Sequence, residues 1–220
     1  MERFLRIVIT GATGYVGQNI VPILAEQCAG LLLVGRDVTK LTRIFPDVPN
    51  CTFEEMPTKA QDFDALVHLS VLNNDASGSE ADFHNINVIL AKQTAEAAVE
   101  CGIKKFFNIS SVHALDDGNL SPYAKSKREA VKRLADISGI EVTNVYLPFV
   151  RGAEWKGKLS FLNRLPSFLA KPIQYCLLAL KPSVKADELA RFVVQQGVHQ
   201  DMLILSEGQL NNPAYKVMKC

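Results

Sequence analysis

The chain has 220 residues, 48% of them hydrophobic and 21% charged. That is enough apolar material for one cored domain, or a domain with a small lobe, and it excludes a disordered or fibrous protein. Lys+Arg 24 against Asp+Glu 23 leaves a formal charge of +1, which gives no electrostatic reason to expect nucleic acid or an anionic membrane as partner. The pairs Lys104-Lys105 and Lys132-Arg133 read as solvated faces, because no basic stripe interleaved with aromatics accompanies them.

The five cysteines (Cys28, Cys51, Cys101, Cys176, Cys220) are odd in number, widely spaced and free of C-x-x-C. A reducing compartment, the cytoplasm, is expected, and no disulfide framework. His68, His84, His113 and His199 lack ligand spacing, so no metal site is expected. The amino terminus runs straight into a short apolar strand without a long h-region, which reads against secretion. Segment 159–180 is the most apolar later stretch, but Arg164, Pro166, Lys171 and Pro172 interrupt it. It reads as a lid or contact surface and not as a membrane span.

Strand and helix patterns alternate along the chain. Residues 4–10 read as a buried strand, 15–27 as a helix and 30–35 as a second apolar strand, which makes a βαβ unit. A third strand is expected at 51–55 and a fourth at 64–70, ending in the polar loop 73–78. A long helix follows over 81–100, stopped at Cys101-Gly102, with Gly102 suited to the left-handed position after a helix. Strand 105–110 comes next, then a helix from Pro122, at a first-turn position where its missing N–H costs nothing, to about 138–139, then strand 141–147. A helix over 185–196 and a strand over 202–205 complete the reading. Alternation of this kind predicts a doubly wound parallel α/β sheet of Rossmann-like type. Residues 1–150 would form the dinucleotide-binding domain, and 151–220 a short lobe packed on it.

Thr10-Gly11-Ala12-Thr13-Gly14-Tyr15-Val16-Gly17 sits where the first strand turns into the first helix. Gly11 suits the tight turn, Gly14 the approach of a pyrophosphate to backbone N–H groups, and Gly17 close packing of the helix. Arg36 lies 19 residues after Gly17, at the end of the second strand, near the distance at which a ribose-binding residue is expected. A guanidinium there would pair with a 2′-phosphate, whereas Asp37 would take the ribose hydroxyls. The strand is expected to end with Arg36 itself, which favours NADP(H) over the alternative, NAD(H).

Tyr123 and Lys127 are four apart and share one face of a helix. An ammonium beside a phenol favours the phenolate and brings its pKa toward working pH, so the phenol can exchange a proton with a substrate oxygen. Ser111 ends the preceding strand, 12 residues before Tyr123, at the sheet edge where open α/β folds bind ligands. Its hydroxyl could stabilise charge on that same oxygen.

Together with the segments 64–69, Asn87-Val88 and Ile109-Ser110-Ser111, these residues resemble the short-chain dehydrogenase/reductase superfamily, in its extended and atypical branch of NAD(P)-dependent epimerases and dehydratases. The resemblance covers about residues 4–152. It implies Ser111, Tyr123 and Lys127 as catalytic residues, with Lys127 also on the nicotinamide ribose and Asn87 in support on the long helix. It implies a cofactor held by Gly11, Thr13, Gly14, Tyr15, Val16, Gly17, Arg36, Leu69, Asn87, Tyr123, Lys127 and Pro148. Ser110 is expected to face the other side of its strand. Leu147 stands where the family has an arginine and Arg151 where it has a tyrosine, and the segment after Gly152 is short, so a reduced pocket is expected. The family weight falls on a nucleotide-sugar-like small-molecule substrate and on a homodimer through helices 81–100 and 122–138. The competing reading is an NADP(H)-binding regulatory or assembly protein without turnover that contacts a partner through 159–180.

Overall fold

The computed structural model describes residues 5–74, 77–151, 166, 183–198 and 217–219. Six strands form a parallel sheet: β1 (Arg6–Thr10), β2 (Gly30–Val34), β3 (Asn50–Cys51), β4 (Ala65–His68), β5 (Lys105–Ser111) and β6 (Glu141–Leu147). Their spatial order is β3-β2-β1-β4-β5-β6, and β9 (Val217–Lys219) adds an antiparallel edge to β6. The central strands are apolar along nearly their whole length because both faces are covered. On one face Ile7, Ile9, Leu33, Val67, Phe107 and Ile109 meet Ile20, Val21 and Leu24 of α1 (Tyr15–Gln27). On the other, Val8, Leu66, Phe106 and Val142 meet Ala95 and Ala98 of α5 (Leu90–Glu100) and Leu134 of α6 (Pro122–Ala135).

After β6, strand β7 (Phe149–Arg151) pairs in parallel with β8 (Ser183–Lys185). The next helix, α7 (Ala186–Val198), sends Leu189, Ala190 and Val193 into the α1 side of the core. Lys105 Nζ donates to the carbonyl of Gln196 in its last turn at 2.7 Å.

Several expected elements are corrected. The strand expected at 51–55 is confined to Asn50–Cys51. Beyond it, Thr52 and Glu55 bond reciprocally: the Thr52 N–H donates to Glu55 Oε2 at 3.0 Å and the Glu55 N–H donates to Thr52 Oγ1 at 3.3 Å. That pair turns the chain into the short helix α3 (Met56–Lys59). Asp37 caps a helix, α2 (Val38–Ile44), with its carboxylate accepting from the Lys40 N–H at 2.8 Å, where only a loop was expected.

The long helix expected over 81–100 is α4 (Glu80–His84), a π-helical turn (Asn85–Ile89) and α5 in succession. Helix α6 stops at Ala135, short of 138, and Gly139 takes φ +88° before β6. Gly102 adopts φ +76°, the left-handed conformation expected after α5. The segment 159–180, apart from Pro166, and the strand expected at 202–205 lie outside the described residues.

Candidate active site

Strand order reverses between β1 and β4, so the crossovers from these neighbours leave in opposite directions and open a crevice at their carboxyl ends. The glycine turn sits in it. Gly11 has φ +73°, and a Cβ there would lie 2.5 Å from the backbone carbon of Leu69 and the nitrogen of Ser70. Only glycine brings the turn this close to the end of β4. Gly14 is the N-cap of α1; it offers no side chain to the helix, and the first turn carries no acidic residue. A Cβ on Gly17 would stand 2.4 Å from the Ala12 carbonyl oxygen, so this glycine lets α1 fold back onto its own loop.

A cleft of about 240 Å³ follows this edge. It is smaller than the ~300–1,000 Å³ of a complete small-molecule pocket, so the described residues form part of a site. Gly11, Gly14, Tyr15, Val16 and Gly17 line one side, Leu69, Val71 and Asn73 the end of β4, and Leu147, Pro148 and Val150 the end of β6. Ile109, Ser110, Ser111, Tyr123 and Lys127 complete it. Of the residues singled out from the sequence, the cleft therefore gathers all but Thr13, Arg36 and Asn87. The Thr13 carbonyl accepts from Gln18 Nε2 at 2.7 Å. Arg36 is exposed beyond β2, and Asp37 beside it is engaged in capping α2.

Asn87 acts one layer back. It lies in the π-helical turn, and its Oδ1 accepts from the Leu72 N–H at 2.7 Å. Its Nδ2 donates to the Leu72 carbonyl at 3.2 Å and to Ser126 Oγ at 3.0 Å. The amide thus clamps the β4–α4 loop, whose neighbours Val71 and Asn73 line the cleft, to the helix that carries Tyr123 and Lys127.

Tyr123 is held by ring edges, with Phe83 at a centroid distance of 6.4 Å and His113 at 6.0 Å, both near perpendicular. Burial pushes its phenol pKa up, and a hydrogen bond with the Ser111 side chain pulls the other way. Ser111 Oγ also accepts from the His113 N–H at 3.3 Å, which fixes the hydroxyl at the strand end. Lys127 is 3% exposed and donates from Nζ to the Ile109 carbonyl at 3.2 Å. Burial pushes its pKa down to about 7. Its ammonium bonds to the strand, and the phenol's pKa is governed by burial and Ser111, whereas the spacing alone suggested control by the lysine.

The sequence reading passed over a buried polar row behind this cleft. Thr10, His68, Asn108 and Asn144 are register partners across β1, β4, β5 and β6, and all are buried. Thr10 Oγ1 and His68 Nδ1 are hydrogen-bonded at 2.9 Å, and Asn108 Nδ2 donates to Asn144 Oδ1 at 2.7 Å. The His68 ring stacks on Phe106 at 5.8 Å, on the face covered by α5 and α6. Burial first, then the Lys127 charge, drives the His68 pKa down to about 3, with the Ser70 backbone opposing weakly, so the ring is neutral. A polar residue closing β1 and β4 and interrupting β5 and β6 was the available signal for this row.

A doubly wound sheet with a glycine turn at its switch point and a Ser-Tyr-Lys cluster on the same edge defines a chain of the short-chain dehydrogenase/reductase type. More narrowly, the chain belongs to the NAD dependent epimerase/dehydratase family, whose sequence profile matches residues 7–170. It is 27% identical over 188 residues to UDP-glucose 4-epimerase of Vibrio cholerae, covering 73% of this chain and 56% of that protein. Against CDP-abequose synthase of Yersinia pseudotuberculosis it is 27% identical over 146 residues, covering 60% of this chain and 50% of the relative. The chain thus matches only about half the length of these two relatives. Among solved structures, UDP-N-acetylglucosamine 4-epimerase from Bacillus cereus superposes with TM-score 0.64 at 21% identity, covering 88% of this chain and 73% of that one. MoeE5 in complex with UDP-glucose and NAD gives 0.66 at 16%, covering 88% and 71%.

The residues present fit the nicotinamide dinucleotide that this family uses. The amino end of α1 has neither a side-chain cap nor an acidic first turn, so its N–H groups suit an anion. The described residues contain no cluster of three or more His, Cys, Asp or Glu that could hold a metal ion, and no helix long and apolar enough to cross a membrane.

Proposed function

We propose that this chain is an NAD(P)-dependent oxidoreductase or epimerase/dehydratase acting at a carbinol or carbonyl carbon of a nucleotide-sugar-like substrate. The observation that carries this reading is the shared cleft, in which the glycine turn faces Ser111, Tyr123 and Lys127. The phenol of Tyr123 gives its proton to the substrate oxygen in the reducing direction, and its phenolate takes one from that oxygen in the oxidising direction; burial pushes its pKa up and the hydrogen bond with Ser111 opposes this. Ser111 Oγ, held at the strand end, hydrogen-bonds the same oxygen and stabilises charge developing there. Lys127 holds a positive charge near these groups, and its pKa of about 7 leaves it ready to release and regain a proton. The bound nicotinamide supplies acceptance or donation of hydride.

Nucleotide sugars are the substrate class suggested by the relatives, since both curated names are those of enzymes of such compounds. For the cofactor we favour NADP(H). Arg36 is exposed two residues beyond the end of β2, not on the strand as expected, with Asp37 occupied as a helix cap, and this arrangement suits a 2′-phosphate better than ribose hydroxyls. NAD(H), bound in the solved structures of several fold neighbours, is the alternative. A homodimer through α5 and α6 belongs to the same proposal, with Ile89 exposed on the helix leading into α5.

The deciding experiment titrates wild type and Arg36→Ala with NADPH and NADH, following nicotinamide fluorescence. The expected result is tighter NADPH binding in wild type, weakened about 10- to 100-fold in the variant, the worth of a charge-assisted pair, with NADH unchanged. NADH preference would move the assignment to the alternative cofactor, and binding of neither would overturn the enzyme reading. Tyr123→Phe should abolish turnover of a UDP-sugar while leaving cofactor binding intact.

A further inference from the structure

Three buried groups, two of them in the wall of the cleft, carry unused hydrogen-bonding capacity. His68 Nε2 and Ser110 Oγ have no partner among the described residues. Lys127 Nζ spends one of its three donors on the Ile109 carbonyl. A buried polar atom without a partner costs on the order of 1–3 kcal/mol, so two such atoms, beside a lysine with donors to spare, call for a common occupant.

The strand register brings them together. Asn108 is the register partner of His68, and Ser110 is the next residue along β5 on the same face. Diagonal neighbours of this kind are about 7–8 Å apart at Cα, a gap that an imidazole and a hydroxyl narrow to the span of one small molecule. Ile109, whose carbonyl receives the Lys127 ammonium, lies between Asn108 and Ser110. The charge on Lys127 also bears directly on His68.

The polarity of each group fits a water molecule. Nδ1 of the neutral ring shares a hydrogen bond with Thr10 Oγ1, and Nε2 accepts or donates according to the tautomer. A water can pair with Nε2 in either tautomer, exchange a bond with the Ser110 hydroxyl and accept from Lys127, and buried waters typically make about three such bonds.

We propose that His68 Nε2, Ser110 Oγ and Lys127 Nζ together hold one buried water, and that His68 is a positioning residue acting on Lys127 through it. The water gives the ammonium a second acceptor, so the lysine keeps its direction and its charge despite burial. The existence of the water site is independent of the proposed activity; its functional weight rests on that reading of Lys127.

The test is a high-resolution crystal structure of the wild-type chain, with the Lys127 Nζ titration followed by NMR in wild type, His68→Asn and His68→Gln. Asparagine keeps a polar atom near Nδ1 for Thr10 and removes the distal one, whereas glutamine reaches the Nε2 position. Expected are a water within hydrogen-bond distance of all three groups, its loss in His68→Asn with the Lys127 midpoint falling by about one pH unit, the size of one bond to a charged group, and recovery of both in His68→Gln. A direct protein partner on Nε2 with no water, or an unchanged Lys127 midpoint in His68→Asn, overturns the proposal. If neither variant folds, the wild-type density decides alone. Failure of NADPH and NADH to bind would leave the water in place, and absence of the water would leave cofactor binding in place, so the two readings fail separately.

Discussion

Gly11 and Gly102 share a backbone conformation, with φ of +73° and +76°, but not their surroundings. A Cβ at Gly102 would meet nothing within 4 Å, whereas at Gly11 it would stand 2.5 Å from the Leu69 carbon and the Ser70 nitrogen and 2.6 Å from the Leu69 oxygen. Alanine at either site pays roughly 1–2 kcal/mol for the left-handed conformation and recovers about 0.4–1 kcal/mol from a less flexible unfolded chain. Gly102→Ala should therefore destabilise by about 1 kcal/mol. At Gly11 the end of β4 must also move by about 1 Å, and overpacking of this kind adds roughly 1–3 kcal/mol, for a total near 3 kcal/mol. Urea denaturation of both variants measures the difference. In heat, where about 1 kcal/mol moves the midpoint of a chain this size by about 2–4 °C, Gly11→Ala should melt several degrees below Gly102→Ala. Equal losses within about 0.5 kcal/mol would refute the contact argument and leave backbone conformation as the whole effect.

Asn87→Ala removes three hydrogen bonds and leaves the Leu72 N–H without its acceptor; a loss of about 2–3 kcal/mol in urea denaturation is expected. Asp37→Ala should cost about 1 kcal/mol through the lost cap of α2 and leave NADPH affinity unchanged; an affinity change would show that Asp37 meets the ribose. The neutral ring of His68, with its pKa lowered to about 3, binds fewer protons than in the unfolded chain between about pH 3 and 6.5. Stability should therefore fall as pH drops through that window, and His68→Gln should flatten the acid limb of a pH series of urea midpoints. For Lys127, lowered to about 7, the same sign applies at higher pH. Stability should rise from about pH 7 toward 10, and Lys127→Met should abolish that rise.

The apolar runs of β1, β2 and β4 were legible because a parallel strand covered on both faces has no reason to alternate. The glycine turn was legible because Gly11 and Gly17 answer to backbone distances that no other residue tolerates. The failure at 51–55 came from weighing Cys51 and Phe53 as strand residues. The overlooked signal was Thr52 followed three residues later by Glu55, a reciprocal side-chain–backbone pair that closes the turn ahead of α3. Asp37 carried a similar signal, a capping carboxylate ahead of Leu41. At the site, residue types and spacing led to Ser111, Tyr123 and Lys127, but not to what each one touches. The ammonium's bond to Ile109 and the Asn87 clamp on Leu72 join segments 18 and 15 residues apart, and only the folded chain brings these together.

The π-helical turn between α4 and α5 amounts to one residue more than an α-helix needs to make the same climb. Everything on its amino-terminal side is turned by about 100° from the phase a regular helix would dictate. That offset aims Phe83 at the Tyr123 ring while Ala91, Ala95 and Ala98 stay in the core. Deleting one residue from 85–89 would make a more regular helix, yet it would swing the aromatic contact off the phenol. The irregularity works as a phase adjustment, by which a single rod serves both a packing surface and a reaction centre that regular geometry would hold out of step.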